Sequence, residues 1–341
     1  MSQSFPYALR LVLLPFVIGC APAPEHPVLV LQGTTMGTFY NIQVVALPPA
    51  VEPQALRDKI AGELDQVESR MSTYRDDSEI SGFNRSRTTD WFAVSPELVG
   101  LVKEALRTSA ASTGAFDPTV GPVVNLWGFG PDGETDTPPT EAEIAQAKAR
   151  VGYRKLSVRA IPPALRKSEP TLYLDLSAIA KGYGVDRLAD LFDVIGITDY
   201  LIEIGGELRG RGYNGQRRPW RIAIERPSPE GRSVHKILAL SDGAMATSGD
   251  YRNFFEYAGR HYSHTIDPET GHPVTHRLAS VTVLAPRAVR ADALATAFLV
   301  LGPESGFALA ESLGIPALFI VRTPGGYFER QTDLSTQPRV P

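Results

Sequence analysis

The 341-residue sequence predicts an α/β fold of the mixed kind, with largely antiparallel sheets flanked by helices. Two observations lead there. Short apolar runs of strand length mix irregularly with segments of helical spacing, with no regular βαβ alternation and no fixed-period repeat. Gly205, Gly206, Gly210 and Gly212 do not build the glycine fingerprint of a dinucleotide-binding βαβ unit, which argues against a doubly wound parallel sheet. With 43% apolar residues the chain can bury a substantial core.

The elements follow in order. Arg10 precedes an apolar stretch, Leu11 to Gly19, which is too short to span a bilayer and has the size of a signal-peptide core. Val17-Ile18-Gly19-Cys20 resembles a bacterial lipobox, and Cys20 is the only cysteine in the chain, so no internal disulfide can form. Residues 1–19 therefore read as a lipoprotein signal peptide. Residues 20–30 read as the acylated Cys20 and a Pro-rich tether, 31–330 as the functional domain, and 331–341 as a loose tail. This places the protein at the bacterial cell envelope, on the periplasmic side, lipid-anchored to a membrane. A strand is expected from Thr35 to Val45. A helix after Pro53 carries Leu56, Ile60, Leu64, Val67 and Met71 at helical spacing, and another after Pro96 carries Leu98, Val102, Ala105 and Leu106. Residues 130–140 are rich in turn formers, and a short helix spans 141–151. Further strands are expected at 172–176, 201–204, 221–225, 235–240 and 280–284.

Two helix starts carry chemistry. At Asp175-Leu176-Ser177-Ala178-Ile179-Ala180-Lys181, an apolar run meets an acidic residue and then a helical pattern. Ser177 is a plausible N-cap, and Ala180, Tyr183 and Leu188 are placed to share one face. A helix start offers free N–H groups to an anion, and Ser177 and Lys181, four apart, can face one ligand. The plainer alternative is a capped helix with a solvated lysine. Around Ala291, a second helix begins and ends near Gly302-Pro303. Its Asp292 and Thr296, four apart on a small apolar surface, offer hard oxygens suited to Mg²⁺. The alternative is an exposed Asp and a Thr bonded to its own helix. Net charge is −4 with no basic run, which excludes the usual footprint of a nucleic-acid binder.

These stretches, with Met36-Gly37-Thr38, Met71-Ser72-Thr73-Tyr74, Ser78-Glu79-Ile80-Ser81, Gly114-Ala115-Phe116-Asp117-Pro118, Leu126-Trp127-Gly128-Phe129, Glu203-Ile204-Gly205-Gly206, Ala246 to Tyr251 and His264-Thr265-Ile266-Asp267-Pro268, resemble in content and order the ApbE family of FAD:protein FMN transferases. The resemblance covers nearly all of the chain after its N-terminal segment. It implies the ApbE-like fold, FAD as substrate, and Mg-dependent transfer of FMN to a threonine or serine of a target flavoprotein with release of AMP. By the same resemblance Met36, Tyr74 and Ile266 serve the flavin, and Ala115, Phe116 and Asp117 the nucleotide. Asp175 and Lys181 serve the pyrophosphate, and the Ala178 carbonyl with Asp292 and Thr296 the Mg²⁺. Some relatives carry a second Asp three residues after the first; here that position is Ala295, so one possible metal ligand is missing. The acceptor implied is a periplasm-facing subunit of an NADH:quinone or Rnf type of redox complex.

A base near the incoming hydroxyl would assist the transfer. His264 is the candidate, with Asp267 as its orienting partner or as an alternative base. Asp117 has a plainer reading as an Asp-Pro turn starter, and Met36 and Tyr74 as core. His261, His264, His272 and His276 invite a zinc reading, but Pro273 and the turn at 267–271 interrupt any helix that could present a ligand pair, and the domain has no cysteine. Two rival functions use the same features: an FAD pyrophosphatase in which water replaces the acceptor, and a lipid-anchored flavin-binding or electron-transfer protein, which would need no cation.

Overall fold

The computed structural model describes residues 26–334 apart from 134, 136, 229 and 230, so Cys20, the signal segment and the end of the tail lie outside the described residues. The chain opens with a hairpin, β1 (Val28–Thr35) and β2 (Thr38–Val45). Helices α1 (Pro53–Met71) and α2 (Glu79–Arg85), the short strand β3 (Phe92–Ala93), and helices α3 (Pro96–Ala111), α4 (Gly121–Leu126) and α5 (Glu141–Lys148) follow. After β4 (Leu156–Arg159) and β5 (Ala164–Lys167) comes the long helix α6 (Ser177–Val194). Strands β6 (Tyr200–Ile204), β7 (Glu207–Arg211), β8 (Trp220–Glu225), β9 (Val234–Leu240), β10 (Gly243–Gly249), β11 (Phe254–Tyr257), β12 (Arg260–Ser263) and β13 (Leu278–Ala285) then run in succession. Helix α7 (Ala288–Ser312) and the hairpin β14 (Ala317–Thr323) and β15 (Gly326–Gln331) close the fold.

Eight strands form the main sheet in the order β1-β2-β6-β7-β10-β13-β14-β15, and every neighbouring pair is antiparallel. Small sheets, β3-β5-β4, β8-β9 and β11-β12, stand beside it. The mixed α/β class with antiparallel sheets is thus the architecture found. Strand β13 is buried along its whole length: α7 covers one face, and on the other Leu284 packs in a cluster with Trp220, Ile222 and Ile224 of β8 and Leu240 of β9. Helix α1 buries Leu56, Ile60, Leu64, Val67 and Met71, the residues its spacing selected.

Helices α6 and α7 pack directly on each other. The buried Asp186 of α6 accepts the N–H groups of Ala288 (3.1 Å) and Val289 (3.0 Å), capping the first turn of α7. Arg209 and Arg287 flank the same carboxylate. A buried charge bonded on several sides is costly to break, so it fixes α7 against α6. Gly182 makes the contact close: a Cβ there would sit 2.4 Å from the Ala288 carbonyl oxygen.

Four expectations are corrected. The single strand from 35 to 45 is the end of one strand and the whole of the next, joined by Met36 (φ 48°) and Gly37 (φ 69°), both left-handed as a type I′ turn demands. The segment 172–176 joins no sheet; the Asn84 amide brackets Leu174, accepting its N–H and donating to its carbonyl at 2.8 Å each. Ser177 is not the N-cap of α6 but its first residue: the Asp175 carboxylate accepts the Ser177 N–H (2.8 Å) and hydroxyl (2.6 Å). The buried stripe of α6 is Ile179, Gly182, Val185, Leu188, Ala189 and Phe192, and Ala180 borders the cleft instead. The helix that starts at Ala288 ends at Gly302 (φ 81°) before Pro303, as expected, and a second helical stretch follows it to Ser312 within α7.

Candidate functional site

One cleft of about 1410 Å³ gathers nearly all the residues singled out from the sequence. Met36, Tyr74, Ala115, Phe116, Asp117, Asp175, Ala178, Lys181, His264, Ile266, Asp292 and Thr296 border it. They come from the β1-β2 turn, the loops after α1 and α3, the start of α6, the segment after β12 and the first turns of α7. Asp267 is not among the bordering residues.

Met36 reaches the cleft from a strained backbone. Its N–H donates to Glu68 Oε1 (2.8 Å), which also accepts the Thr35 hydroxyl (2.7 Å). That anchor holds the turn, and the Met36 side chain lies against Gly184 of α6. Tyr74 is 66% exposed, so it is no core residue. Asp117 closes its own loop: its carboxylate accepts the N–H (2.8 Å) and hydroxyl (2.6 Å) of Thr119 and the N–H of Tyr153 (2.8 Å). What this loop offers a nucleotide is chiefly its backbone and the Ala115–Phe116 surface.

The charged centre lies where α6, α7 and the β6-β7 turn meet. Lys181 Nζ is 2.7 Å from Glu207 Oε2, and Glu207 follows the Gly205-Gly206 turn, both glycines having positive φ. A Cβ on Gly205 would come within 3.3 Å of the Lys181 stem. Asp292, 2% exposed, accepts the Gly182 N–H through Oδ2 (2.9 Å). By helical i→i−4 counting that N–H also addresses the Ala178 carbonyl, so Ala178 and Asp292 are brought to one spot. Thr296 Oγ1 lies one turn on, 3.3 Å from Ser248 Oγ. Burial pushes both Glu207 and Asp292 above the usual carboxylate range, and the Asp292 charge raises Glu207 further. Burial opposes the charge on Lys181, but the two carboxylates more than reverse this and hold it protonated. Two buried carboxylates thus face one ammonium. The excess negative charge and the hard oxygens of Ala178, Asp292 and Thr296 fit a divalent cation of the Mg²⁺ type, which takes few protein ligands. Among the described residues no three His, Cys, Asp or Glu side chains converge as a closed metal site.

His264 stands across the cleft. Its Nδ1 is 3.0 Å from the Asn253 carbonyl, which can only accept, so Nδ1 carries the hydrogen and Nε2 keeps a free lone pair. Burial lowers its pKa below the ordinary 6.5, with Lys181 adding to the effect. It is therefore a neutral base at neutral pH. The pairing with Asp267 is corrected: Asp267 Oδ1 accepts the Glu269 N–H (2.9 Å) and caps its own turn. That turn is fixed by Trp127, whose indole N–H donates to the Gly271 carbonyl (2.9 Å). The other histidines scatter: His261 lies on Phe254, and His272 is 3.4 Å from Glu141.

Sequence reasoning missed Glu68, Asn84, Asn253 and Glu207. Glu207 had a readable signal, since Gly-Gly between apolar runs marks a two-residue hairpin turn and sets the next residue on the cleft side.

Comparison with known proteins agrees with this architecture. Residues 36–319 match the ApbE family. The chain is 46% identical over 323 residues to the FAD:protein FMN transferase of Vibrio cholerae serotype O1, covering 95% of this chain and 96% of that one. The solved flavin transferase ApbE from Vibrio cholerae superposes with a TM-score of 0.84 at 46% identity, over 90% of this chain and 98% of that one. The apo flavinyl transferase ApbE of Pseudomonas stutzeri gives 0.83 at 40% identity, over 90% and 95%.

Proposed function

Since this chain belongs to the ApbE family, we propose that it is an FAD:protein FMN transferase that moves FMN from FAD to a threonine or serine hydroxyl of a target flavoprotein, with Mg²⁺ held by Ala178, Asp292 and Thr296. The observation that carries this reading is the convergence on one cleft of an ammonium, an anionic oxygen cluster and a neutral imidazole with a free Nε2.

The chemistry follows from where these groups stand. The acceptor hydroxyl oxygen attacks the FMN-side phosphorus of FAD while His264 Nε2 takes its proton. The new P–O bond forms, the bond between the two phosphorus centres' bridging oxygen and that phosphorus breaks, and AMP leaves with the electron pair. Lys181 donates to the pyrophosphate while Glu207 fixes its ammonium. Asp175, by capping the start of α6, keeps the helix from fraying at the anion site. Bound Mg²⁺ would neutralise phosphate charge, which matters because phosphoryl transfer depends on positioning and electrostatics.

The test is incubation of the protein with FAD, Mg²⁺ and a flavoprotein subunit of an NADH:quinone or Rnf type of complex. Flavin fluorescence retained by the denatured subunit, with AMP released in equal amount, is expected. Free FMN and AMP with an unlabelled subunit would establish the pyrophosphatase instead, and no AMP at all a passive flavin binder. The lipobox-like segment supports a further part of the reading, a lipid anchor on Cys20 that holds the enzyme on the periplasmic side of a membrane, where such subunits face.

A further inference from the structure

Strands β8 and β9 form a ribbon beside the main sheet, and among the described residues β8 pairs with β9 alone. Its other edge has no strand partner. Arg221, Ile222, Ala223, Ile224 and Glu225 all border the cleft. Successive side chains of a strand point to opposite faces. Ile222 and Ile224 turn inward onto Leu208 and Met245, while Arg221 and Ala223 are exposed. A wall that includes both sets is reached around the open edge of the strand. Strand β6 behaves differently, giving the cleft only Leu201 and Glu203, the alternate residues of one face.

This edge is continuous with the reacting centre. Glu225, at its C-terminal end, is ion-paired with Arg252. The next residue, Asn253, supplies the carbonyl that sets the His264 tautomer. Natural proteins cover or blunt unpaired strand edges, and this one lies bare inside the cleft. Resting on the transferase reading, we infer that the free edge of β8 docks the acceptor polypeptide as an added strand and delivers its hydroxyl residue past Glu225 to His264. Recognition is then largely main-chain, through the N–H and C=O groups of β8, with selectivity confined to alternate acceptor side chains. Arg221, Arg232 and Arg252 against Glu203 and Glu225 give the channel a surplus of positive charge, which favours acidic residues beside the modified hydroxyl.

The experiment uses the full chain with FAD, Mg²⁺ and synthetic threonine-containing peptides copied from an Rnf-type flavoprotein subunit, each bearing one backbone N-methyl group. An added strand donates every second N–H to its neighbour. Transfer is expected to fall roughly 10-fold or more at alternate residues on one side of the threonine and to hold at those between, the loss of about one well-placed hydrogen bond in each case. In the intact subunit, the enzyme variant Ala223→Lys is expected to raise the acceptor KM by roughly 10-fold, with FAD binding and melting temperature unchanged. Losses without a two-residue period, or an unaltered acceptor KM in Ala223→Lys, overturn the docking edge. Absence of any flavin on the unmethylated peptide and on the intact subunit, with FAD consumed, overturns the transferase reading and the docking edge with it.

Discussion

Gly182→Ala tests whether the α6–α7 contact sets both the stability and the chemistry of this fold. Alanine is the better helix former, and in an open helix the change would add roughly 0.5–1 kcal/mol of stability. Here the new Cβ would lie 2.4 Å from the Ala288 carbonyl oxygen, 2.7 Å from its carbon and 2.8 Å from Asp292 Cβ. Two of the three obstacles are backbone, so no rotamer change relieves them. To reach ordinary van der Waals distance the helices must part by about 1 Å, against an Asp186 cap that holds α7 in place. Overpacking of this kind costs about 1–3 kcal/mol, so the steric term wins over propensity. The expected net loss is about 1–2 kcal/mol, or several degrees of melting temperature in a chain of this size. The same displacement moves Asp292 and stretches the Gly182 N–H bond to it, and an error of about 1 Å in a reacting geometry costs roughly 10²-fold in rate. Calorimetry and a flavinylation assay at saturating FAD measure both effects. A variant as stable as wild type with full turnover would refute the claim that Gly182 sets this spacing.

Four further outcomes are expected. His264→Ala slows transfer by roughly 10²-fold or more with little change in FAD binding; because burial holds the wild-type imidazole below its ordinary 6.5, the acid limb of the kcat profile should fall below pH 6.5, and a midpoint above that value would count against the assignment. Asp292→Ala lowers turnover by roughly 10²-fold or more and removes its dependence on Mg²⁺, while most FAD affinity survives; unchanged turnover at limiting Mg²⁺ would sink the metal assignment. Lys167 is 1% exposed, and burial, aided by Arg87, lowers it from 10.5 to about 8. The unfolded chain therefore binds more protons between about pH 8 and 10, stability rises with pH across that window, and Lys167→Met should abolish the rise in urea midpoints. Cys20→Ser should release an active protein from the membrane fraction and end the incorporation of labelled fatty acid; label retained would place the lipid elsewhere.

What was legible in the sequence is what local spacing controls. Helices α1 and α3 declare themselves because their apolar residues recur at helical intervals, and the packing that uses those residues adds nothing the pattern lacks. Lys181 and the pair Asp292 and Thr296 were readable because residues four apart on a helix share a face. The rest depends on contacts distant in sequence. The apolar run at 172–176 has the composition of a strand, but Asn84, some ninety positions away, supplies the partner that a strand would have supplied. Met36 is no turn former, and its positive φ follows from Glu68 anchoring the turn from α1. Asp267 stands three residues from His264, yet its turn folds the carboxylate onto its own backbone, and a carbonyl eleven positions earlier takes its place.

The charges at the α6–α7 junction explain why cation and FAD should bind as a pair. Glu207 and Asp292 are buried carboxylates served by one ammonium, and the Asp292 charge makes ionisation of Glu207 harder. A pyrophosphate entering that cleft brings more negative charge toward a centre already in excess. Lys181 has three donors and can hold Glu207 and a phosphate oxygen together, but it carries one charge, which Glu207 already balances. Under the proposed metal assignment a divalent cation beside Asp292 would remove the deficit, so cation and FAD would each favour the other's binding, and by linkage to the same extent. Removing the Asp292 carboxylate abolishes the cation's holder and the repulsion in one step. That is why the variant is expected to keep its affinity for FAD while losing the reaction, a separation that a purely structural role for Asp292 would not produce.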